Sequence, residues 1–426
     1  MKDSWSYDAK WLRLDNAAKI YPVVATVKNS GVFRIAARLQ AVIDPVRLQQ
    51  AVWDCTVRFP AFYVKLREGI FWFYYEPNTQ PAIIRKESPY ICEAINQHRN
   101  NNYLFTFFYY ENRISLEVFH SLFDGTGAFA LLKAVIYRYL ELMGHKLEND
   151  GSILSITDRP TWQESEDSYN ALFTDKAREK LNNRRAYRIT GERFKNPLGL
   201  GIITATLETE ALKRLCKTNN ATVSEYLVSL LNYSVIHTGN KKAMMKHPIR
   251  ISVPVNMRKF LYSQSIRNFS LYFNTCIKYQ GEDWDFETVL KNVQSQFKTE
   301  LTLERLQQRL NQNVRFEKNV IIKIMPLILK KILFKIGYAF IGHLPTTMSV
   351  TNFGEIKLPE SMGAYVESFE FNLASGKKPG LAVNSYNGKT RLIFNRCFVS
   401  TEIERTFLSF LSEKGLKVII ETNNWR

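Results

Sequence analysis

His120, Asp124 and Gly125 are the residues of this 426-residue chain that are best suited to chemistry. They lie in the run His-Ser-Leu-Phe-Asp-Gly, after an apolar segment typical of a strand (114–119) and before a segment typical of a helix (128–142). An imidazole has a pKa of about 6.5, so its neutral form accepts a proton at physiological pH. The spacing therefore indicates a general base at the end of a strand.

Spacing alone leaves two interpretations of this run open. A chance His-x-x-x-Asp-Gly in a chain of this composition is an event of about 1 %. Asp124 either belongs to a catalytic group or caps the next helix beside an ordinary core histidine. Gly125 either adopts a positive φ or permits another part of the chain to approach closely.

The surrounding segments alternate between strand and helix patterns, which predicts an α/β protein with mixed sheets. In the first part we expect a strand at 33–40, hairpins at 63–75 and 103–119, and a helix at 45–58 that is capped by Asp44.

The second part restarts the alternation at residue 201. Thr222 and Glu225 predict a capping box in front of an apolar helix. A long helical region is expected over 286–311, and three strands followed by a helix (401–411) are expected near the end.

The length of the chain fits two domains, and its charge is unevenly distributed between them. The length fits two domains, predicted as residues 1–170 and 201–426, with a polar crossover linker at 171–200. Residues 1–170 are neutral, so the second part of the chain carries the whole net charge of +18. This charge indicates either an anionic partner or a solvated basic surface. No motif supports binding of nucleic acid, which we therefore do not expect.

The cysteines and the first fifteen residues indicate the cellular compartment. The five cysteines lie far apart and show no metal-ligand spacing, so we expect reduced thiols and no metal. The first fifteen residues lack the apolar core of a signal peptide. We therefore expect a cytoplasmic protein.

Residues 320–341 are very apolar but too often interrupted by lysine to span a membrane. Pro326 should break any helix there near its start. The segment is either a core helix with a solvated basic stripe or an amphipathic helix that makes weak peripheral contact with a membrane. The interrupting residues are Lys323, Lys330, Lys331 and Lys335.

The chain resembles the chloramphenicol acetyltransferase-like superfamily, which includes alcohol acetyltransferases, BAHD acyltransferases, wax ester synthases and condensation domains. The run at 120–125 is similar to the HxxxDG motif of that superfamily. Three further stretches resemble its motifs in the expected order, and alcohol acetyltransferases are the most similar group. These stretches are 222–227, 252–258 with 267–269, and 349–354.

The resemblance implies roles for the motif residues. His120 is implied as the general base that takes a proton from the acceptor. Asp124 is implied to be structural, and Arg258 is its expected ion-pair partner. Gly125 is implied to permit the turn between strand and helix.

The motif of the second half is implied to line the active site. Asn352 lies in that motif, on the active-site side of the second domain, and Ser349 or Thr351 could donate a hydrogen bond to the oxyanion. The resemblance also implies two subdomains with mixed sheets flanked by helices, and a tunnel between them in which both substrates meet.

Two departures from the superfamily patterns bear on function. Condensation domains usually carry a second histidine before the catalytic one, and Phe119 occupies that position here. Residues 352–356 read Asn-Phe-Gly-Glu-Ile where BAHD enzymes have Asp-Phe-Gly-Trp-Gly. An aspartate–arginine pair expected there is therefore absent.

The expected function is a monomeric acyl-CoA-dependent acyltransferase of the alcohol O-acetyltransferase type, without a permanently bound cofactor. The main alternative is a condensation-domain-like enzyme. It would use an acyl carrier protein thioester to acylate a hydroxyl or amine in lipid or natural-product synthesis. A third possibility is a non-catalytic protein that uses the same scaffold for binding.

Overall fold

The structure of the chain, a computed structural model, describes residues 11–26, 29–175, 185–196, 199–337, 346–373 and 378–423. Within these residues the strands are β1 (Leu12–Arg13), β2 (Val32–Leu39), β3 (Val64–Glu68), β4 (Phe73–Pro77), β5 (Arg85–Lys86), β6 (Phe105–Tyr110), β7 (Arg113–Phe119), β8 (Gly201–Glu208), β9 (Ile251–Asn256), β10 (Ser270–Asn274), β11 (Met348–Glu355), β12 (Val366–Asn372), β13 (Gly380–Tyr386), β14 (Lys389–Arg396) and β15 (Ile419–Thr422).

The α-helices of the same residues are α1 (Tyr21–Val24), α2 (Pro45–Asp54), α3 (Gly125–Leu142), α4 (Ser168–Ala171), α5 (Thr209–Thr218), α6 (Val223–Thr238), α7 (Lys241–Lys246), α8 (Phe286–Glu300), α9 (Leu303–Lys318), α10 (Val320–Ile324), α11 (Leu327–Gly337), α12 (Glu360–Gly363) and α13 (Glu402–Glu413). Short 3₁₀ helices lie at Cys55–Val57, Gln97–Asn100, Trp162–Ser165 and Met257–Lys259.

Two large sheets organise the molecule. The first has the order β12-β2-β7-β6-β5 and the second has the order β10-β9-β11-β13-β14-β8-β15. A small sheet, β1-β4-β3, flanks the first. In the second sheet β11 runs parallel to β9 and β13, whereas the other pairs are antiparallel. Parallel and antiparallel pairs thus mix in one sheet, as predicted.

Strand β12 links the two halves of the chain. It comes late in the sequence, yet it pairs antiparallel with β2 of the first sheet, with Phe369 opposite Ala37. The segment 366–372 therefore packs with the core of the first half although it lies within 201–426. The domain boundaries given above stay a prediction.

The burial pattern explains how the strands lie. In β8 the buried side chains alternate with part-exposed ones, as expected for a strand with one face on the core. Strand β7 is buried at every position after Arg113, because helix α3 packs on it and neighbouring strands flank it. Strand β7 ends at Phe119, so the rigid centre of the first sheet positions the residue that follows.

Local capping signals predicted several helices correctly. The carboxylate of Asp44 accepts from the N–H groups of Val46 and Arg47 at the start of α2. Thr222 and Glu225 form the predicted capping box at the start of α6. These contacts satisfy backbone donors that have no partner inside the helix.

The long helical region predicted over 286–311 is confirmed, and it consists of two helices. Helix α8 ends at Glu300, and α9 begins at Leu303 after a new N-cap, Thr302, whose hydroxyl accepts from Arg305 N. The threonine hydroxyl competes for the backbone donors at the start of α9, which favours a break over a continuous helix.

Residues 320–337 decide against one of the two interpretations given for the apolar segment 320–341. Residues 338–341 lie outside the described residues. Pro326 separates α10 from α11, as predicted. The core-helix interpretation is wrong, because most of the isoleucine and leucine side chains here are exposed and Lys330 is buried. Among the described residues, no helix combines the length and the hydropathy that a membrane-spanning helix needs.

Candidate active site

His120 lies directly after β7, and its backbone N–H donates to the carbonyl of Gly31 at 2.8 Å. The imidazole stacks on the Tyr21 ring, with centroids 4.6 Å apart and planes 8° apart. The ring of Phe33 packs against it in an edge-to-face arrangement, with centroids 5.1 Å apart. Burial among these rings lowers the pKa of His120 below its ordinary value, so the neutral imidazole is favoured.

Asn268 faces the imidazole from the second half of the chain. Its Oδ1 lies 3.2 Å from Nδ1 of His120. Its Nδ2 faces two acceptors, Oδ2 of Asp15 at 3.2 Å and the Ser121 carbonyl at 3.4 Å. These acceptors fix the amide orientation, so Oδ1 must accept from His120 and Nδ1 must carry the proton. The lone pair of the imidazole is therefore on Nε2.

Asp15 is the far end of this hydrogen-bonded chain, and its side chain is fully buried. It accepts from the N–H of Ala18 at 2.8 Å and pairs with Nε of Arg267 at 3.5 Å. Burial raises the pKa of Asp15 to about 6, and the charge of Arg267 opposes that rise.

Asp124 caps α3, one of the two alternatives that the spacing left open, and also pairs with Arg258, the partner that the resemblance implies. Its Oδ1 caps α3 by accepting from Thr126 N at 3.0 Å and Gly127 N at 3.4 Å. Its Oδ2 accepts from Nη1 of Arg258 and from Phe269 N, both at 2.9 Å. One carboxylate thus begins the helix after His120 and joins it to the second half.

Arg258 binds the loop that carries Asn268. Its Nε donates to the Ser265 carbonyl at 2.6 Å, and its Nη2 donates to the Arg267 carbonyl. Together with the ion pair to Asp124, these bonds use the planar fork of the guanidinium. Arg258 therefore fixes the 265–268 loop, and with it Asn268, relative to the HxxxDG segment.

Gly125 is explained by a close approach and not by its backbone conformation. Its φ is not among the positive values of the chain. A Cβ at this position would lie 2.6 Å from Cζ of Phe353, closer than real side chains allow. The glycine therefore lets the ring of Phe353, on β11, sit against the first turn of α3.

The candidate oxyanion residues lie on β11 and differ in their surroundings. Asn352 is exposed, donates to the Ser224 hydroxyl at 3.1 Å and accepts from Gly354 N at 2.8 Å. Ser349 and Thr351 are part-buried, and no hydrogen bond within the described residues engages either hydroxyl. The structure thus brings together His120, Asp124, Gly125 and Arg258, while Asn352 is held at the start of α6.

Sequence reasoning missed most of the imidazole's neighbours. Asn268 lies in the stretch 267–269, which resembles a superfamily motif, but no role was predicted for it. No role was predicted for Tyr21 or Phe33 either. Asp15 offered no local signal, because its partners Arg267 and Asn268 are more than 250 positions away in the chain. Among the described residues, no group of three or more His, Cys, Asp or Glu could hold a metal ion.

Comparison by sequence finds no known protein family and no curated protein that matches the chain. Comparison of structures finds many similar folds. The polyketide synthase associated protein 5 of Mycobacterium tuberculosis has a TM-score of 0.64 at 12 % identity, over 95 % of this chain and 98 % of that one.

Two other solved structures extend the likeness. The Fusarium sporotrichioides protein TRI101, complexed with coenzyme A and T-2, has a TM-score of 0.61 at 11 % identity over 96 % of this chain and 99 % of that one. The starter condensation domain of rhizomide synthetase, complexed with C8-CoA and Leu-SNAC, has a TM-score of 0.59 at 12 % identity over 97 % and 96 %. The chain has the two-lobed chloramphenicol acetyltransferase-like fold of these proteins, which confirms the predicted fold.

Proposed function

We propose that the protein is an acyltransferase that moves an acyl group from a CoA thioester to a hydroxyl group, with His120 as the general base. The observation that carries this proposal is the hydrogen-bonded chain Asp15–Asn268–His120. It holds the imidazole with Nδ1 protonated and leaves the Nε2 lone pair for a substrate. The coenzyme A and C8-CoA in the similar structures support the choice of donor.

The reaction needs one base and no covalent enzyme intermediate. Nε2 of His120 takes the proton of the acceptor hydroxyl while the oxygen attacks the thioester carbonyl carbon. The tetrahedral intermediate then collapses, the carbon–sulfur bond breaks, and the imidazolium returns the proton to the leaving thiolate. The products are an ester and free coenzyme A, and the imidazole is neutral again.

The residues around His120 support this step by keeping the imidazole neutral and by holding it in place. Burial keeps the imidazole neutral and ready to accept a proton. We assign Asp124 and Arg258 a structural role, because their ion pair joins the base to the loop that carries Asn268. Our candidates for oxyanion donors are Ser349 and Thr351, whose hydroxyls have no hydrogen bond within the described part of the chain, and a donor aimed at the oxyanion contributes ~3–4 kcal/mol. Asn352, which is bound to Ser224, is the weaker candidate.

The test is release of free thiol from acyl-CoA donors of increasing chain length, in the presence of a panel of alcohols and amines. His120→Ala should lower kcat by at least ~10²-fold in a protein that remains folded, because a general base contributes ~10²–10⁴-fold. His98→Ala is the matched control, since that histidine is exposed in a 3₁₀ helix and should not affect turnover. Acceptor-dependent turnover that survives in His120→Ala would overturn the assignment.

A condensation-domain-like function is the second candidate. The similar structures include a starter condensation domain, and residues 171–426 carry the whole excess of positive charge. An acidic acyl carrier protein would be attracted to such a surface. This candidate predicts no turnover with acyl-CoA but turnover with an acylated carrier protein, lost at high salt. Turnover with acyl-CoA alone and no binding of carrier protein at low salt would reject it.

A further inference from the structure

Helices α10 and α11 expose their apolar side chains to solvent. Ile328 is 73 % exposed and Val320 is 70 % exposed, although such side chains are usually buried. The side that packs on the protein carries Leu327 and a buried lysine, Lys330. The large apolar side chains that are about half exposed or more are Val320, Ile321, Ile324, Ile328, Leu329, Ile332 and Leu333.

The turn between β3 and β4 extends this apolar surface. Ile70 is 77 % exposed, and Phe71 beside it is also exposed. Helix α11 holds the turn in place, because Leu327 N donates to the Ile70 carbonyl at 2.8 Å and Nζ of Lys330 donates to the Phe71 carbonyl at 2.8 Å. The ammonium of Lys330 also lies 3.8 Å from the centroid of the Trp72 ring.

These contacts explain why a lysine points inward here. Its ammonium is satisfied by carbonyl groups and an aromatic face, and burial lowers the pKa of Lys330 to about 8. With Leu327 and Lys330 on the inner side, the exposed residues of α11 lie on the outer side: Ile328, Leu329, Ile332 and Leu333. The helices and the turn thus form one surface, the interfacial surface, made of residues 320–335 and 69–72.

The charge of the interfacial surface is positive. Residues 320–337 contain four lysines and no acidic residue. Lys323 and Lys335 are exposed beside the apolar side chains, and Lys331 pairs with Glu68 at the base of the turn. Apolar side chains mixed with lysines complement a membrane interface, where acyl chains lie below anionic headgroups.

The interfacial surface lies close to the candidate active site. Helix α11 packs on α1, whose first residue, Tyr21, stacks on His120. A cavity of about 280 Å³ is lined by Pro22 of α1, by Phe119 and by Glu68, the partner of Lys331. A lipid bound at the interfacial surface would therefore lie next to a cavity that reaches the residue before His120.

We propose that the interfacial surface binds the surface of an anionic lipid bilayer. A second copy of the chain fits less well, because a two-fold contact would bring Lys323 and Lys335 of one copy against the same lysines of the other. A bilayer instead accepts the isoleucines and leucines and neutralises the lysines. The net charge of +18 adds long-range attraction to the same partner.

Sedimentation with vesicles of phosphatidylcholine, with and without phosphatidylglycerol, tests the proposal. The protein should bind the anionic vesicles and lose affinity at least about tenfold in Ile328→Ser/Ile332→Ser, because two apolar side chains no longer enter the bilayer. Lys323→Gln/Lys335→Gln should weaken binding by roughly fivefold for each lysine. Matched controls are Val42→Ser/Val46→Ser, valines elsewhere that are at least as exposed, and Lys242→Gln/Lys246→Gln; both should bind as the unchanged protein does.

Two results would overturn the proposal. One is no binding of the unchanged protein to anionic vesicles at low salt. The other is equal binding of Ile328→Ser/Ile332→Ser and the valine control. Size-exclusion chromatography adds a third: if Ile328→Ser/Ile332→Ser abolishes a dimer of the unchanged protein and vesicle binding is absent, the interfacial surface is a contact between copies.

A consequence for the substrate rests on the proposed function. A membrane-bound acyltransferase with its cavity beside the bilayer would act on an amphiphilic hydroxyl compound that partitions into lipid. Ile328→Ser/Ile332→Ser should then lower turnover of a long-chain alcohol in anionic vesicles and leave turnover of a short, water-soluble alcohol unchanged. Equal loss with both alcohols rejects the consequence. Vesicle binding without any turnover would instead reject the proposed function and leave the membrane contact standing.

Discussion

The amide oxygen of Asn268 lies 3.2 Å from Nδ1 of His120, although the two residues are 148 positions apart in the chain. The other end of the amide donates to the buried carboxylate of Asp15. The imidazole therefore has a single hydrogen-bond partner of fixed polarity on its Nδ1 side. Such a partner sets both the tautomer and the direction of the Nε2 lone pair.

Asn268→Ala should lower kcat about 10- to 100-fold with little change in KM, because His120 loses the acceptor that orients it. Steady-state kinetics with a saturating donor measure the effect. A positioning residue acts through its target, so Asn268→Ala should cause no further loss in the His120→Ala background. An equal loss in both backgrounds would show that Asn268 does not work through His120.

Asp15 should make the stability of the protein depend on pH. Its pKa is about 6 in the folded protein and ~3.9 in an unfolded chain, so between these values the folded protein alone holds the proton. Its contribution is therefore fully present below ~4 and is lost as the pH rises through about 6.

Asparagine does not titrate, so Asp15→Asn removes the pH-dependent contribution of Asp15. The substitution then changes the free energy of unfolding by an amount that does not vary with pH. The free energy of unfolding of the unchanged protein should fall relative to that of Asp15→Asn by on the order of 2 kcal/mol between pH 4 and 7. Urea unfolding at several pH values gives both curves, and the comparison cancels groups common to the two proteins. Parallel curves across this range would show that Asp15 does not titrate as described.

Short-range signals account for the part of the fold that the sequence predicted. The caps at Asp44 and Thr222 depend on residues within three positions, and strand alternation depends on neighbours two positions apart. The break between α8 and α9 also had a local signal, the capping threonine Thr302, which an otherwise helical pattern obscured.

The candidate site was predictable where its residues lie in motifs, which includes Arg258 in the stretch 252–258. His120, Asp124 and Gly125 lie in one run, whereas Asp15 is an isolated aspartate whose significance comes from contacts across the fold. The same limit applies to α11. Its sequence shows an apolar side and lysines, but which side faces solvent depends on Trp72 and the 69–72 turn.

The ion pair between Arg258 and Asp124 should contribute to both stability and activity. Arg258→Ala leaves the buried carboxylate unpaired, which should cost ~3–5 kcal/mol of unfolding free energy. Arg258→Lys should recover only part of this loss, because an ammonium cannot bind Asp124 and the Ser265 carbonyl with a planar fork. Chemical denaturation measures both variants.

The matched control for this pair is Arg214→Ala, an exposed arginine on α5 that should change stability by at most ~0.5 kcal/mol. Activity at a temperature where each variant is fully folded separates the two effects. If Arg258→Lys matches the unchanged protein in stability and kcat, the fork geometry has no role in holding the site.

Gly125 should tolerate no side chain while Phe353 is present. Within a helix, alanine is ordinarily the better residue, by roughly 0.5–1 kcal/mol over glycine in the helix interior. Here the added Cβ would meet Cζ of Phe353 at 2.6 Å, so Gly125→Ala should instead destabilise the protein by ~1–3 kcal/mol. Gly363→Ala is the control, because its Cβ would make only an ordinary contact, 3.5 Å from the Tyr386 hydroxyl.

In a double-mutant cycle, Phe353→Leu should relieve at least ~1 kcal/mol of the Gly125→Ala penalty. Additive effects of the two substitutions would mean that the glycine is required for a reason other than this contact.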